Sequence, residues 1–97
     1  MDGTIRSAIS AKAIIEFDYD GHHRIAEPHL YGSKNGVVQL LVFQVAGGSS
    51  SGGLPQWRRV DVARMSNLII ANQRFPGRRP NPSGEHSAFD AIWAVVD

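Results

Sequence analysis

Residues 37–65 decide the fold, and they read VVQLLVFQVAGGSSSGGLPQWRRVDVARM. The first nine of these residues are almost all apolar and rich in β-branched types. Such a run predicts a central strand that is covered on both faces. From Gln56 the pattern alternates, so that Arg58, Val60 and Val62 share one side of a second strand. The segment therefore predicts a buried strand followed by a strand that carries paired arginines.

The composition is that of a small, ordinary globular domain. The chain has 97 residues, of which 42% are hydrophobic and 20% are charged. The formal net charge is only +1, so the overall electrostatic field is weak. Eight of the ten basic residues are arginine, whose planar guanidinium group binds phosphate and carboxylate in bidentate fashion, as lysine cannot. Affinity for nucleic acid would therefore depend on local clustering of arginine.

The chain has no cysteine, which excludes disulfides and thiolate metal sites and suits a reducing compartment. The N-terminus lacks the basic-then-apolar pattern of a signal peptide, and no apolar run is long enough for a membrane span. We therefore predict a soluble, cytoplasmic protein with no membrane partner.

The first third of the chain predicts a helix and a hairpin. Residues 4–12 show apolar positions at helical spacing, with a side-chain cap expected from Asp2 or Thr4. Residues 14–20 alternate as a strand, and Asp20-Gly21 is a strong signal for a hairpin turn. The partner strand is predicted over residues 22–27, where Pro28 ends it or places it at an edge. Residues 29–36 are predicted to be a connection that closes with an Asn-Gly turn.

The remainder predicts short strands and irregular segments. Residues 46–55 are rich in glycine and serine and are predicted to be the most mobile internal loop. Residues 67–71 predict a further strand, and residues 73–84, with three prolines, predict an irregular tail. Residues 87–96 fit both helical and strand spacing, and their Trp and Val content favours one turn of helix followed by a strand.

These elements predict a mainly β domain with one N-terminal helix, closed into a small bent barrel or roll. The domain is expected to span residues 1–72. Residues 73–97 are expected to form a Pro/Arg-rich tail whose apolar end packs back on the barrel. The predicted core residues are Ile15, Phe17, Leu40, Val42, Val60, Val62 and Leu68.

Four segments together resemble the WYL domain, a family named for a Trp-Tyr-Leu triplet. They are residues 15–19 (IEFDY), 24–30 (RIAEPHL), 38–43 (VQLLVF) and 58–65 (RRVDVARM). The resemblance lies in their order and spacing and covers residues 5–71. The triplet itself falls on Val-Gln-Leu, so only its leucine is present and the aromatic pair is absent.

The resemblance implies an SH3-like or Sm-like β-barrel. It also implies a ligand-sensing role in which a basic groove binds nucleic acid or nucleotides. Members of the family usually carry an N-terminal helix-turn-helix domain, for which this chain has no room. A complete transcription factor of that kind is therefore not expected.

The densest basic cluster predicts a phosphate-binding groove, because guanidinium groups bind phosphate in bidentate fashion. We expect Arg58 and Arg64 to line it, together with Arg24 and the polar Gln39. Arg59 is expected to be structural or solvent-facing. The alternative for these arginines is pairing with carboxylates on neighbouring strands, namely Asp61, Glu16 or Asp18. For Arg24, an exposed strand position is an equal alternative.

Other polar residues give weaker signals. The histidines at 22, 23, 29 and 86 lack chelating spacing, so no metal and no cofactor are expected. Tyr19 is predicted to be a core aromatic with its hydroxyl at the surface, and base stacking is the lesser alternative. Residues 49–51 (SSS) lack the lysine of a phosphate-binding loop. The three arginines of the tail are predicted first to be a solvated arm, and second an arm along a nucleic-acid backbone.

Two functions follow. The first is a regulatory, ligand-sensing module that binds single-stranded nucleic acid or a nucleotide. The second is an interaction module that docks on a partner protein or on itself through an exposed sheet edge. An enzyme is not predicted, because the sequence identifies no nucleophile with its base.

Overall fold

The N-terminal helix forms because apolar residues recur at helical spacing and dock on the sheet. In the computed structural model, which describes residues 1–48, 53–80 and 89–97, helix α1 spans Asp2–Ala11 and buries Ile5, Ala8 and Ile9. The helix is confirmed, but the predicted side-chain cap is wrong: Met1 is the N-cap and makes no capping bond. The carboxylate of Asp2 instead accepts a hydrogen bond from the Tyr31 hydroxyl at 2.8 Å.

Six antiparallel strands form one sheet. They are β1 (Ala13–Tyr19), β2 (His22–Lys34), β3 (Val37–Gly47), β4 (Gln56–Asp61), β5 (Ser66–Arg74) and β6 (Ala91–Val95). The strand order is β4-β3-β2-β1-β5, and β6 also pairs with β2. A short 3₁₀ turn, Val62–Arg64, connects β4 to β5. The fold is therefore mainly β with one N-terminal helix, as predicted, but the sheet is not closed into a barrel.

The β1–β2 hairpin follows the prediction. Asp20 and Gly21 have φ values of 51° and 78°, the left-handed conformation that a two-residue hairpin turn needs. Alternation in β1 buries Ile15, Phe17 and Tyr19 on one face. The hairpin therefore directs one face of β1 toward the core.

Strand β2 does not end at Pro28, so the predicted strand end and connection are wrong. It runs for 13 residues, through Pro28 and the segment 29–34. Pro28 is opposite Val42 in β3, next to a register shift between Pro28 and Leu30. Because a shift in register interrupts the regular ladder, a residue without an amide hydrogen is tolerated there. The predicted Asn35-Gly36 turn follows and is confirmed, with φ values of 52° and 78°.

The C-terminal segment joins the sheet as β6. Ser33 to Leu30 of β2 pair with Ala91 to Val95, beyond the part of β2 that pairs with β1. The predicted strand is therefore present; residues 87 and 88 of the expected helical turn lie outside the described residues. Gly32 permits this pairing, because a Cβ there would collide with the carbonyl oxygen of Ala91.

The predicted core is confirmed. Its members are buried, except for Val62 and Leu68, which pack half-buried against it. Leu40 and Val42 have exposures of 0% and 1%, which fixes the face of β3 as expected. Strand β5 is longer than predicted, and its Ile70 is exposed.

A second apolar cluster lies on the reverse face of the sheet, where Leu30 and Leu41 meet Phe89. Residues 75–80 pack against the fold and are not a solvated arm, and Phe75 belongs to the main core cluster. Phe75 stacks on His29 with ring centres 5.4 Å apart, and Arg79 binds the carboxylate of Glu27 through two contacts of 2.5 and 2.9 Å. The solvated-arm prediction is therefore wrong for this part of the tail.

Residues 49–52 of the predicted mobile loop and residues 81–84 of the predicted tail lie outside the described residues. Among the helices of the described residues, none has the length and apolarity to cross a membrane.

The close approach at Gly32 gives a test of the β2–β6 pairing. Gly32→Ala should lower the free energy of unfolding by about 1–3 kcal/mol, because the added methyl group must displace backbone. Urea denaturation measures the loss. Gly3→Ala is the control: nothing lies within 4 Å of a Cβ there, so stability should be unchanged or slightly raised. Equal stability of Gly32→Ala and the parent would contradict the pairing.

Candidate functional site

The register of the first hairpin places an arginine against Tyr19. Tyr19 is directly opposite His22, so Arg24 lies diagonally across from it on the same face. The guanidinium carbon of Arg24 lies 5.2 Å from the centre of the Tyr19 ring. The guanidinium carbon of Arg64, from the 3₁₀ turn, lies 4.9 Å from the same centre. Tyr19 thus brings together two predicted site residues through cation–π contacts.

Arg58 approaches the same place from β4. It is opposite Val42 in β3, on the sheet face that carries the core. Burial, together with the positive charge of Arg24, lowers the pKa of Arg58. Three of the four predicted site residues therefore meet at one end of the core face. Arg24, Arg58 and Arg64 are called the arginine cluster below.

The members of the arginine cluster differ in their surroundings. Arg24 is only 4% exposed, and its guanidinium donates to the side-chain oxygen of Gln44 at 3.4 Å and to the carbonyl oxygen of Tyr19 at 3.3 Å. Its Nε has no hydrogen-bond partner, and no carboxylate pairs with it, within the described part of the chain. Arg58 is half-buried. Arg64 is exposed and forms an ion pair with Asp20.

Gln39 is not brought to the arginine cluster. It is opposite Asp61, one position along from the buried pair of Leu40 and Val60, and so projects from the reverse face. Its amide donates to the carboxylate of Asp61 at 2.9 Å. The backbone amide of Asp61 in turn donates to the Tyr19 hydroxyl at 2.9 Å. Gln39 therefore reaches the site only through Asp61.

Sequence reasoning missed the organising role of Tyr19 and the pairing of Asp20. Tyr19 is buried as predicted, but its hydroxyl, expected at the surface, accepts the bond from Asp61. The sequence pattern predicts only a turn position for Asp20, whereas its carboxylate pairs with Arg64. The register of a two-residue hairpin was the available signal, because it fixes which residues of β2 lie diagonal to Tyr19.

The carboxylates that were the alternative partners of the arginines have other roles. Glu16 and Asp18 both contact the ring of His23, at 2.8 and 2.9 Å. Asp18 also accepts a hydrogen bond from the amide of Asn67 at 2.7 Å. Arg59 lies on the reverse face with its guanidinium carbon 4.5 Å from the centre of the Phe89 ring, in keeping with a structural role.

The residues that the structure describes assemble no metal site. The described ranges contain no group of three His, Cys, Asp or Glu side chains that could hold a metal ion, and they enclose no pocket. His86 lies outside them. Residues 48–52 read GSSSG and fit the literal Gly-x-Ser-x-Gly pattern, but a nucleophile elbow leads into a helix. The next described element is strand β4, and residues 49–52 are not described.

The His23 contacts predict a pH-dependent contribution to stability. Hydrogen bonds to Glu16 and then Asp18 raise the pKa of His23, and bonds from Asn67 and then His23 lower the pKa of Asp18. A raised histidine pKa gives stability that is full below the unfolded value of about 6.5 and is lost as pH rises through the folded value. The lowered Asp18 pKa gives stability that is lost as pH falls through the folded value of that group.

His23→Gln should therefore be less stable than the parent by an amount that is largest near pH 5–6 and shrinks toward pH 9. Urea denaturation at several pH values measures the difference. His22→Gln, on the opposite face of the hairpin, is the matched control because it leaves the contacts of His23 with both carboxylates in place. A difference for His23→Gln that stays constant with pH would count against the ionic cluster.

Comparison with known proteins gives no assignment. No protein-family model, no curated protein and no solved structure matches this chain. A functional proposal therefore depends on the arginine cluster and on the exposed surfaces.

Proposed function

We propose that this chain is a regulatory module that binds a phosphate-bearing ligand, single-stranded nucleic acid or a nucleotide, at the arginine cluster. The observation that carries the proposal is the burial of Arg24 without an anionic partner among the described residues. A buried cation is stabilised only when it is paired and hydrogen-bonded. Its two bonds here are long and go to neutral oxygens. An anion at the cluster would supply the missing charge.

The neighbouring cations strengthen this preference. Arg58 lies close enough to Arg24 for the like charge to contribute to its lowered pKa, and Arg64 adds a third cation at the Tyr19 ring. Because like charges repel, an anion between them lowers the energy of the whole cluster. Arg64 and Arg58 are the accessible members and would contact the phosphate, while Arg24 contributes its charge from behind them.

The geometry favours an extended polyanion. No pocket is enclosed by the described residues, and the Tyr19 ring is too deeply buried to stack on a base. Binding would then depend on the phosphate backbone, tolerate different base sequences and weaken steeply with salt. The resemblance to the WYL domain supports the same ligand class, and we propose membership of that family on the quoted segments alone.

Two further expectations belong to this proposal. We propose that the sheet is an open relative of the SH3-like or Sm-like barrel, which the register shifts of β2 support because such shifts bend a strand. We also propose a cytoplasmic location, which the absence of cysteine supports. No catalytic role is proposed.

Fluorescence anisotropy with labelled single-stranded oligonucleotides of several sequences tests the proposal. The parent should bind, and Arg58→Ala should weaken binding alike for all sequences and make the salt slope shallower by roughly one unit. Arg64→Ala should act in the same direction, although release of Asp20 complicates its magnitude.

Lys34→Ala is the matched control, since it removes one positive charge at the far end of β2 from Arg24. It should leave the affinity nearly unchanged. If the parent does not bind at low salt, or if Arg58→Ala binds as tightly as the parent, phosphate binding at this site is rejected and the interaction module takes its place. That second function is favoured by exposed apolar residues on the edge strand β5.

A further inference from the structure

The two tight turns at the ends of β2 share one backbone conformation. The turn that leads into β2, Asp20-Gly21, has φ values of 51° and 78°, and the turn that leads out of it, Asn35-Gly36, has values of 52° and 78°. A two-residue hairpin needs a left-handed residue followed by glycine, and asparagine meets that need as well as aspartate does. The turn therefore does not require the carboxylate of Asp20.

That carboxylate contacts the arginine cluster instead. It forms an ion pair with Arg64, which lies in the 3₁₀ turn after β4. The guanidinium carbon of Arg64 at the same time lies 4.9 Å from the centre of the Tyr19 ring, which Arg24 also approaches. Both side chains of the pair are partly open to solvent, with exposures of 55% for Arg64 and 41% for Asp20. An anion from solution can therefore reach the same guanidinium group.

A carboxylate and a phosphate compete for the donors of a guanidinium group, because both accept its paired N–H bonds. While Asp20 is paired with Arg64, it occupies donors that a phosphate would use, and it places a negative charge beside the incoming ligand. An exposed ion pair contributes little to stability, so a ligand can displace the carboxylate at small cost. Asp20 therefore weakens anion binding without closing the site.

From this geometry we propose that Asp20 is a built-in competitor of the ligand: its carboxylate occupies Arg64 in the free protein, and a phosphate displaces it on binding. This inference rests on the proposed function and goes beyond it by assigning a residue that sets the affinity of the site. Because Asp20 is held on the same chain as Arg64, its effective concentration there is high. A strand with several phosphates therefore competes with it better than a mononucleotide does.

Fluorescence anisotropy with a labelled single-stranded oligonucleotide at low salt compares Asp20→Asn with the parent. Asparagine keeps the turn and removes the charge, so the variant should fold, which far-UV circular dichroism checks, and should bind about two- to fivefold tighter. Asp90→Asn is the matched control. The carboxylate of Asp90 accepts a hydrogen bond from the backbone amide of Asn35, so this variant loses the same charge at the other end of β2. It should bind as the parent does.

The same substitution in an Arg64→Ala background shows whether Asp20 acts through Arg64. Most of the gain should disappear there, because the carboxylate no longer competes for that guanidinium group. A gain that is as large without Arg64 would overturn the inference and leave the proposed function intact. Equal affinity of Asp20→Asn and Asp90→Asn for the oligonucleotide would do the same. If neither the parent nor Asp20→Asn binds, the proposed function fails, and this inference fails with it.

Discussion

The structure depends on the pairing of one strand, β2, with three others. Its first half binds β1, its second half binds β6, and β3 runs along the other side. To pair with three strands, β2 must bend, and its register shifts against β3 allow this. It must also let the backbone of β6 approach closely, which Gly32 allows because it has no side chain. Because β6 is the C-terminal strand, β2 ties both ends of the chain into a single sheet.

The same strand also carries two buried charged residues, Glu27 and Arg24, which differ in their partners. Glu27, on the reverse face, is held by two contacts from Arg79, so that its charge is compensated within the fold. Arg24, on the core face, has only neutral acceptors among the described residues. Since an uncompensated buried charge costs free energy, the proposed anion site is based on Arg24 and not on the ion pair of Glu27 with Arg79.

Local patterns predicted the local structure well. The spacing of Ile5, Ala8 and Ile9 predicted α1, the Asp20-Gly21 pair predicted the hairpin, and the apolar run predicted the buried part of β3. Each of these depends on residues close together in sequence. Features that depend on contacts between distant residues could not be predicted from local patterns. Pro28 lies inside β2 beside a register shift against β3, and that shift is not visible in the sequence. The closed barrel was inferred from strand spacing alone, and the sheet is open.

In the candidate site, too, the residue types could be predicted from the sequence, but the positions that depend on strand pairing could not. The arginines pointed to Arg24, Arg58 and Arg64. Arg24 and Arg64 both contact the ring of Tyr19, and Arg58 lies close enough to Arg24 to feel its charge. Gln39 lies on the reverse face because it neighbours the core-facing Leu40 in β3. Its place relative to the arginines depends on how β3 pairs with β4, which the sequence alone does not give. Burial of Arg24, expected to be an exposed or groove residue, also depends on its diagonal position across the hairpin.

Arg24→Met tests the central claim most directly, because methionine fills similar space without the charge. Unfolding midpoints of variant and parent would be compared as phosphate replaces chloride at constant ionic strength. The general stabilising effect of phosphate acts on both proteins and cancels in the difference. We predict that without phosphate the variant is at least as stable as the parent, and that phosphate stabilises the parent more. A strongly destabilised variant, with an equal response of both proteins to phosphate, would contradict an anion site built on Arg24.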